Sequence, residues 1–309
     1  FNFVYLFAII TWITVAQTFM IKSLQYQLIR MFHAILNSLN IDTILNLAYL
    51  IGPLYYVFSF KNTFKLYKRR EKIKNYKNLN YNPMTVKINY VKYWLETLWL
   101  SKDNFEKDVM NKVVIKNQSY LDNLMKSEKG FIFALPHLGN WEMAIPVGKS
   151  IGLDLVAVAE PLDNKRVLNW FKSLREQLGC EIILGGKGQN TFDLLQDKIM
   201  NGKHICLLSE RSINKSGVGV EFFGEVAAFP KGPVALALKT EVPIVPAAFL
   251  KLEGRYTLVF DKPFYVPLFD NEAQSIQQGL KVLAKSFEDL IALDINQWHS
   301  IQPVWANEY

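Results

Sequence analysis

The stretch that decides the fold is FIFALPHLGNWEMA, residues 131–144. Its first five residues form an apolar run typical of a buried β-strand, and Pro136 marks the end of that strand. Gly139 and Asn140 follow as turn residues, and Asn140 is placed to cap a helix that begins at the next residue. The stretch therefore predicts a strand, a turn and a helix in direct succession.

Similar apolar runs recur downstream and alternate with amphipathic segments. The runs are LDLVAVA (153–159), CEIIL (180–184), HICLLS (204–209), IVPAAFL (244–250) and YTLVF (256–260). Helical patterns lie at 164–178, 188–200, 231–240 and 271–292. Because the runs do not alternate apolar with polar residues, we expect an α/β fold whose sheet is covered on both faces.

The N-terminal part of the chain is strongly apolar. Residues 1–21 contain no charged side chain and are long enough to cross a hydrocarbon core as a helix, so we predict a membrane anchor within residues 1–29. Residues 43–60 form a second apolar run. Gly52 and Pro53 would break a spanning helix in its middle, which favours a half-buried or interfacial segment over a second span.

Positive charge is concentrated in one block. The chain of 309 residues has a net charge of +7, yet residues 61–92 alone hold ten basic residues and one acid, Glu71. A dense block beside apolar segments indicates contact with an anionic membrane surface, whereas a nucleic-acid-binding protein would spread basic residues over a face. By the positive-inside rule, the bulk of the protein lies on the cytoplasmic face of the cell (inner) membrane.

These features divide the chain into three regions. Residues 1–29 are the anchor, residues 30–120 a helical, basic, membrane-associated region, and residues 121–309 an α/β catalytic domain. The alternative is that residues 30–309 form one structural unit.

Composition and motifs exclude several classes of protein. With 50% hydrophobic residues, the chain is not a disordered tail. Cys180 and Cys206 match no metal-ligand spacing and predict small buried residues in a reducing compartment, and we expect no metal site. No GxSxG elbow occurs. GGKG at 185–188 lacks the Ser or Thr of a P-loop, although such a loop can still touch a phosphate.

His137 and Glu142 are the titratable residues of the opening stretch. Ligands in open α/β sheets bind at the carboxyl ends of strands, where His137 lies. Residues five apart on a continuous helix point about 140° away from each other, so a turn at Gly139 and Asn140 is needed to bring the pair together. An ionised Glu142 in the first helical turn would support positive charge on the imidazole. This is the arrangement of a general base.

The alternative for His137 is a structural role, as a helix cap or as a partner of a backbone carbonyl. The other histidines are in less favourable positions. His33 lies in an apolar helical region, His204 opens a strand and His299 lies near the C-terminus.

The motif HLGNWE resembles the His-x4-Asp/Glu motif of the glycerolipid acyltransferase superfamily. It is similar to the branch that holds the lipid A secondary acyltransferases and the phosphatidylinositol mannoside acyltransferases. Further blocks follow in that branch's order: VAEPL with Arg166, WFKSLREQLG, LLSERS, VEFFGE, FPKGPVALA and VPIVPAAF. The ending WHSIQPVW looks most like the mannoside branch. The resemblance covers residues 30–309 and leaves the first apolar segment unmatched.

The resemblance implies a mixed central sheet flanked by helices, with an N-terminal helical, membrane-associated region. It also implies an O-acyltransferase that moves a fatty acyl group from a thioester to a sugar hydroxyl of a membrane glycolipid. The donor would be acyl-CoA or acyl carrier protein, a co-substrate, and no resident cofactor is expected.

Four residues match catalytic positions of this branch. His137 matches the catalytic histidine, and it is the side chain whose ordinary pKa suits a base that takes a proton from a sugar hydroxyl near pH 7. Glu142 matches the motif acid, and Arg175 the arginine of the second block. Glu210 matches the acid that lies against the histidine in the mannoside enzymes. Mannoside enzymes commonly have Asp at position 142, so either Glu142 or Glu210 orients the imidazole.

Further residues of the same blocks are candidates to bind substrate. Arg175 or backbone amides of the glycine-bearing loops would stabilise the charge of a tetrahedral intermediate. Arg211 would bind a phosphate of donor or acceptor, with a salt bridge to Glu210 as the alternative. Lys231 would meet a phosphate or water. The substrate-binding residues predicted are Asn140, Trp141, Arg166, Arg211, Phe229 and Lys231.

Two other functions compete with a phosphatidylinositol mannoside acyltransferase. A lipid A secondary acyltransferase shares the catalytic blocks, which hardly separate acceptors. A catalytically silent lipid-binding protein of the same fold is the alternative from another class. A silent protein has no chemical need for His137, Glu142, Arg175 and Glu210 together, which favours an enzyme.

Overall fold

A computed structural model of the chain describes residues 2–77, 79–186, 190–212, 217–299 and 302–305. Within the helices, the side chains of residues 1–19, 60–62, 70 and 74–77 lie outside the description. Lys187 and Gly188 of the GGKG loop also lie outside it.

Helices account for most of the described chain up to Asp108, and four more lie between later strands. They are α1 (Asn2–Asn37), α2 (Ile41–Phe58), α3 (Phe60–Lys77), α4 (Pro83–Trp99), α5 (Lys102–Asp108), α6 (Trp141–Ser150), α7 (Lys165–Leu178), α8 (Thr191–Met200), α9 (Gly232–Thr240) and α10 (Glu272–Ala292).

The strands begin after α5. They are β1 (Val114–Lys116), β2 (Ile132–Leu135), β3 (Leu155–Ala159), β4 (Cys180–Leu184), β5 (His204–Leu208), β6 (Val218–Phe222), β7 (Glu225–Phe229), β8 (Ile244–Leu252) and β9 (Arg255–Phe260).

Seven strands of the described chain form one sheet, in the order β1-β9-β8-β2-β5-β3-β4. The five strands from β8 to β4 are parallel to one another, whereas β9 is antiparallel to β8. The predicted α/β class with a mixed central sheet flanked by helices is therefore confirmed. The sequence patterns missed β1 and the separate β6–β7 hairpin.

Helices cover both faces of the sheet. Residues of α6 and α7 pack on one face, in a core that also takes in Trp99 of α4 and Phe105 of α5. Residues of α8, α9 and α10 pack on the other face. Because β2 has parallel neighbours on both sides, its carboxyl end is flanked by loops from several strands, which is where open sheets bind ligands.

The N-terminal helices correct one prediction. Residues 2–37 form a single helix, and most of the predicted anchor falls on the first 19 residues, whose side chains lie outside the description. In α2 the helix continues through Pro53, so the predicted break at Gly52 and Pro53 is wrong. The packing of α2 on α4 supplies the reason, because Gly52 lies directly against Ile88.

Helix α2 is half-buried, as predicted. One stripe, Ile41, Ile44, Ala48 and Gly52, faces the protein. The opposite side exposes large apolar residues, including Leu50 and Phe58. Among the described residues, α2 is the helix whose length and composition would suffice to cross a membrane.

The basic block does not present all of its charge to the surface. Lys65 and Lys68 of α3 are exposed. Arg69 is 1% exposed and lies between the rings of Trp298 and Trp305, 5.6 Å and 5.5 Å from their centroids. Its Nη2 also donates to the carbonyl of Gln302.

Two other lysines of the block are held by the fold. Lys72 forms an ion pair with Glu225. Lys87 is fully buried in α4, where its Nζ donates to Ser59 Oγ at 2.8 Å. Part of the positive charge that the sequence concentrates here therefore stabilises packing between elements.

The sheet includes strands from before and after the predicted boundary at residue 120. Strand β1 precedes that boundary and pairs with β9, so Val114 lies beside Thr257. The three-region division itself stays a prediction.

The close contact between α2 and α4 predicts that a methyl group at position 52 lowers the stability of the protein. A Cβ at position 52 would lie 2.7 Å from Ile88 Cα, so we expect Gly52→Ala to lower the free energy of unfolding by about 1–3 kcal/mol, although Ala ordinarily favours a helix. Gly232→Ala is the matched control, since a Cβ there meets no atom within 4 Å. Thermal unfolding measures both, and equal midpoints for the two variants would contradict the close approach.

Candidate active site

Two neighbouring parallel strands bring His137 and Glu210 together. Leu135 and Leu208 pair in register at the ends of β2 and β5, and His137 and Glu210 each follow two residues later. Glu210 Oε1 accepts from the His137 backbone N–H at 3.0 Å and lies 2.6 Å from His137 Nδ1. Glu210, and not Glu142, is the acid that contacts the imidazole.

The surroundings of Glu210 keep its carboxyl group ionised. Burial by itself would raise the pKa of this fully buried residue, but the facing imidazole and two hydrogen bonds from His137 lower that pKa below its ordinary value. Because an ionised carboxylate only accepts, Nδ1 of His137 donates the proton of their hydrogen bond. In the neutral form of the ring, Nε2 is then the nitrogen with the lone pair, which is the arrangement that a general base requires.

Glu142 lies in the first turn of α6, as predicted, but its carboxylate has a different partner. Asn140 caps α6 by accepting from the Glu142 backbone N–H at 3.2 Å, which places Glu142 in the first helical turn. Its carboxylate accepts from Arg175 Nε at 2.8 Å and from Arg175 Nη2 at 2.6 Å. The predicted pairing of Glu142 with His137 is therefore wrong, because the adjacent α7 offers a guanidinium that fits the carboxylate bidentately.

This ion pair also changes the expectation for Arg175. Burial would lower the pKa of Arg175, but Glu142 outweighs that effect and raises it above its usual value. The guanidinium therefore stays charged while its Nε and Nη2 are occupied. The geometry favours a clamp between α6 and α7 over the predicted donor to an oxyanion.

The turn that carries His137 is held from several sides. Gly139 has φ +63°, and a Cβ there would lie 2.0 Å from the carbonyl oxygen of Phe249, so only glycine fits. The His299 backbone N–H donates to the His137 carbonyl at 3.2 Å, and His299 Nε2 lies 2.8 Å from the Gly139 carbonyl. Burial lowers the pKa of His299 to about 4, so its ring is neutral at pH 7.

A cavity of about 490 Å³ opens beside His137, between the sheet and the layer of α6 and α7. Most of its wall is apolar, including Phe133, Leu135, Ala157, Ile182 and Phe260. Polar and charged residues also line the cavity, among them Thr97, Glu142, Glu160, Arg175 and Arg211. A mostly apolar wall of this kind suits a hydrocarbon chain, with the imidazole of His137 beside it.

Comparisons with known proteins identify the family. A model described as bacterial lipid A biosynthesis acyltransferase matches residues 87–307. The chain belongs to this family. The phosphatidylinositol mannoside acyltransferase of Mycobacterium tuberculosis is 33% identical over 227 residues, 70% of this chain and 68% of the relative. The protein of that name from Mycolicibacterium smegmatis is 30% identical over 220 residues, 70% of each chain.

The predicted substrate-binding residues of this acyltransferase separate into two groups. Trp141 and Arg211 line the cavity, with the Trp141 ring centroid 5.2 Å from that of His137. Within the described chain, Arg211 forms no salt bridge with Glu210 or with any other residue, so the structural alternative for Arg211 is wrong.

The remaining four residues lie elsewhere. Phe229 is fully buried in the core around Phe222, so its predicted contact with substrate is wrong, because β7 turns this side chain inward. Asn140 is a buried helix cap outside the cavity wall. Arg166 donates to Ser23 of α1, and Lys231 is exposed next to the first residue of α9.

Helix α4 supplies site residues that the sequence patterns did not assign to the site. Tyr93 and Trp94 line the cavity, and the Tyr93 ring lies 4.6 Å from that of Trp141. The helical spacing of apolar and aromatic residues in α4 predicts the helix, but it gives no sign that the end of this helix reaches His137. Among the described residues, no group of three or more His, Cys, Asp or Glu is placed to hold a metal.

The two glutamates should respond differently to amide substitution. Glu210→Gln keeps the shape but removes the charge that stabilises an imidazolium, so we expect acyl transfer to fall by about 10²-fold or more with little change in stability. Glu142→Gln should instead lower the free energy of unfolding by about 3 kcal/mol, because Arg175 is left without its charged partner. Steady-state rates and thermal unfolding of both variants test this, and the reverse pattern would exchange the two roles.

Proposed function

We propose that this acyltransferase transfers a fatty acyl group from a thioester to a sugar hydroxyl of a membrane glycolipid, most like a phosphatidylinositol mannoside. The observation that carries the proposal is the 2.6 Å contact between His137 Nδ1 and Glu210, with His137 in the wall of a mostly apolar cavity. A base next to a hydrocarbon site is what transfer of an acyl chain to an alcohol requires.

His137 acts as the general base in this proposal. Its Nε2 takes the proton of the sugar hydroxyl while the hydroxyl oxygen attacks the thioester carbonyl carbon, and Glu210 stabilises the imidazolium that forms. The tetrahedral intermediate then collapses, the carbon–sulfur bond breaks and the imidazolium returns its proton to the leaving thiolate. The products are an oxygen ester on the sugar and a free thiol.

The cavity would hold the acyl chain, and the two thiols in its described wall would not compete with the acceptor as nucleophiles. Cys180 and Cys206 both line it. Burial raises the pKa of Cys180 to about 12 and that of Cys206 well above its ordinary value, so both thiols stay protonated at neutral pH. The acyl group would therefore pass to the acceptor without forming a thioester on the protein.

The relatives support the choice of acceptor. Those compared above are named for phosphatidylinositol mannosides, whereas the family model is named for lipid A, which remains the second candidate acceptor. Arg211 lines the cavity with no ion-pair partner in the described chain, so we assign it a phosphate of donor or acceptor. The donor would be acyl-CoA or acyl carrier protein, at the cytoplasmic face of the inner membrane.

The proposal is tested with purified chain, palmitoyl-CoA and purified phosphatidylinositol mannoside, with thiol release and acylated lipid followed together. We expect ester formation coupled to thiol release, and a reduction by about 10²-fold to 10⁴-fold in His137→Ala. A lipid A precursor in place of the mannoside tests the second acceptor. Fast thiol release with free fatty acid as the sole product, with or without glycolipid, would make the protein a thioesterase and overturn the proposal.

The exposed lysines of the basic block predict that the protein binds anionic bilayers through α3. Lys65→Glu combined with Lys68→Glu should weaken co-sedimentation with anionic vesicles, and added salt should weaken binding of the unsubstituted chain. Lys102→Glu with Lys107→Glu is the matched control, since both lysines are exposed on α5. Equal losses in the two double variants would assign the effect to net charge, against a specific contribution of α3.

A further inference from the structure

A buried carboxylate of α4 contacts the far end of the turn that carries His137. Glu96 is 2% exposed. Its Oε2 accepts from Asn140 Nδ2 at 3.0 Å, and its Oε1 accepts from the Tyr256 hydroxyl at 2.6 Å. Lys92 Nζ lies 3.8 Å from Glu96 Oε1. Glu96 does not line the cavity, and its contact in the turn that carries His137 is Asn140.

Asn140 uses both ends of its side-chain amide. Nδ2 donates to Glu96, and Oδ1 accepts from the backbone N–H of Glu142. An asparagine amide can rotate by half a turn and exchange its oxygen and nitrogen. If it did so here, Nδ2 would face another N–H at the start of α6, and the cap would be lost.

Glu96 prevents that exchange. A carboxylate accepts and does not donate, so only the NH2 group of Asn140 can face it favourably. Tyr256 fixes the carboxylate from the other side, because burial followed by the charge of Glu96 raises the pKa of Tyr256 well above its ordinary value and keeps the hydroxyl protonated. Hydrogen bonds thus converge on the Glu96 carboxylate from both sides, from the Tyr256 hydroxyl on one and from Asn140, which itself accepts from the Glu142 backbone N–H, on the other.

The turn between His137 and Asn140 is therefore fixed at both ends. Glu210 holds the His137 end through the backbone N–H and Nδ1. Glu96 holds the Asn140 end, where the Asn140 backbone N–H also donates to the Phe249 carbonyl at 2.8 Å. A catalytic imidazole misplaced by about 1 Å can lose a factor of about 10² in rate, so the second anchor matters for chemistry.

We propose that Glu96 is a positioning residue for acyl transfer, which sets the imidazole of His137 by fixing the side-chain amide of Asn140. This inference rests on the proposed function. Burying the Glu96 carboxylate costs desolvation free energy that an apolar side chain of similar size would avoid. The position of this carboxylate beside Asn140 therefore indicates a role in orienting the Asn140 amide.

An exchange of donor and acceptor tests the proposal. Asn140→Asp keeps an oxygen for the cap but replaces the NH2 donor by a carboxyl group, which repels Glu96 when both are ionised and binds it only when the two share a proton. We therefore expect kcat to fall about 10-fold to 100-fold at a pH where the pair has lost that proton, with KM for palmitoyl-CoA and phosphatidylinositol mannoside within about twofold. Glu96→Gln alone should lower kcat only a few-fold, because Gln can accept from Asn140 and donate to the Tyr256 oxygen.

The double variant Glu96→Gln with Asn140→Asp reverses the pair. The introduced glutamine would donate to the introduced aspartate and accept from Tyr256, so kcat should recover to within about fivefold of the unsubstituted enzyme. The substitution at position 96 would thus lower kcat in one background and raise it in the other. Tyr256→Phe removes one of the two hydrogen bonds to Glu96 but leaves the bond to Asn140 in place, so it should lower kcat less than Asn140→Asp does.

Each result decides the question. A folded double variant as slow as Asn140→Asp would overturn the proposal, and so would an Asn140→Asp variant with unchanged kcat. If Asn140→Asp does not fold, Glu96→Leu replaces it, and a folded Glu96→Leu variant with full kcat would be equally adverse. Absence of acyl transfer by the unsubstituted chain in the same assay would instead count against the proposed function.

Discussion

The contact between His137 and Glu210 is the interaction on which the rest of the site depends. It exists because β2 and β5 are parallel neighbours that end at the same level, so that residues two positions beyond each strand meet. Neither residue could contact the other in a local segment, since 73 positions separate them in the chain. The sheet is thus the scaffold of the candidate base, and α6 and α7 build the apolar cavity beside it.

Much of this arrangement could be predicted from the sequence because the signals are local. Apolar runs placed β2, β3, β4 and β5 within one or two residues of their bounds, and strand-end position drew attention to His137. The partner of His137 could not be found in this way. The resemblance pointed to both Glu142 and Glu210 as partners of His137. The strand order brings Glu210 to His137, and the neighbouring helix brings Arg175 to Glu142.

The remaining errors have a common physical cause, which is that tertiary contacts override local signals. Pro53 should end a helix, but packing of Gly52 on Ile88 keeps α2 intact. Phe229 lies in a motif block and yet points into the core. Lys87 and Arg69 belong to a block whose charge indicated a lipid contact, but both are buried, and burial of a cation depends on partners distant in sequence.

The enclosure of Arg69 by Trp298 and Trp305 has a consequence for how the molecule can be divided. The family match starts at residue 87, so Arg69 lies outside it while both tryptophans lie inside. A chimera that joined the matched portion to the leading helices of a distant relative would leave two indole faces without their cation and the Gln302 carbonyl without its donor. A graft or truncation of this protein should therefore keep residues upstream of the family match, at least as far as Arg69 in the middle of α3.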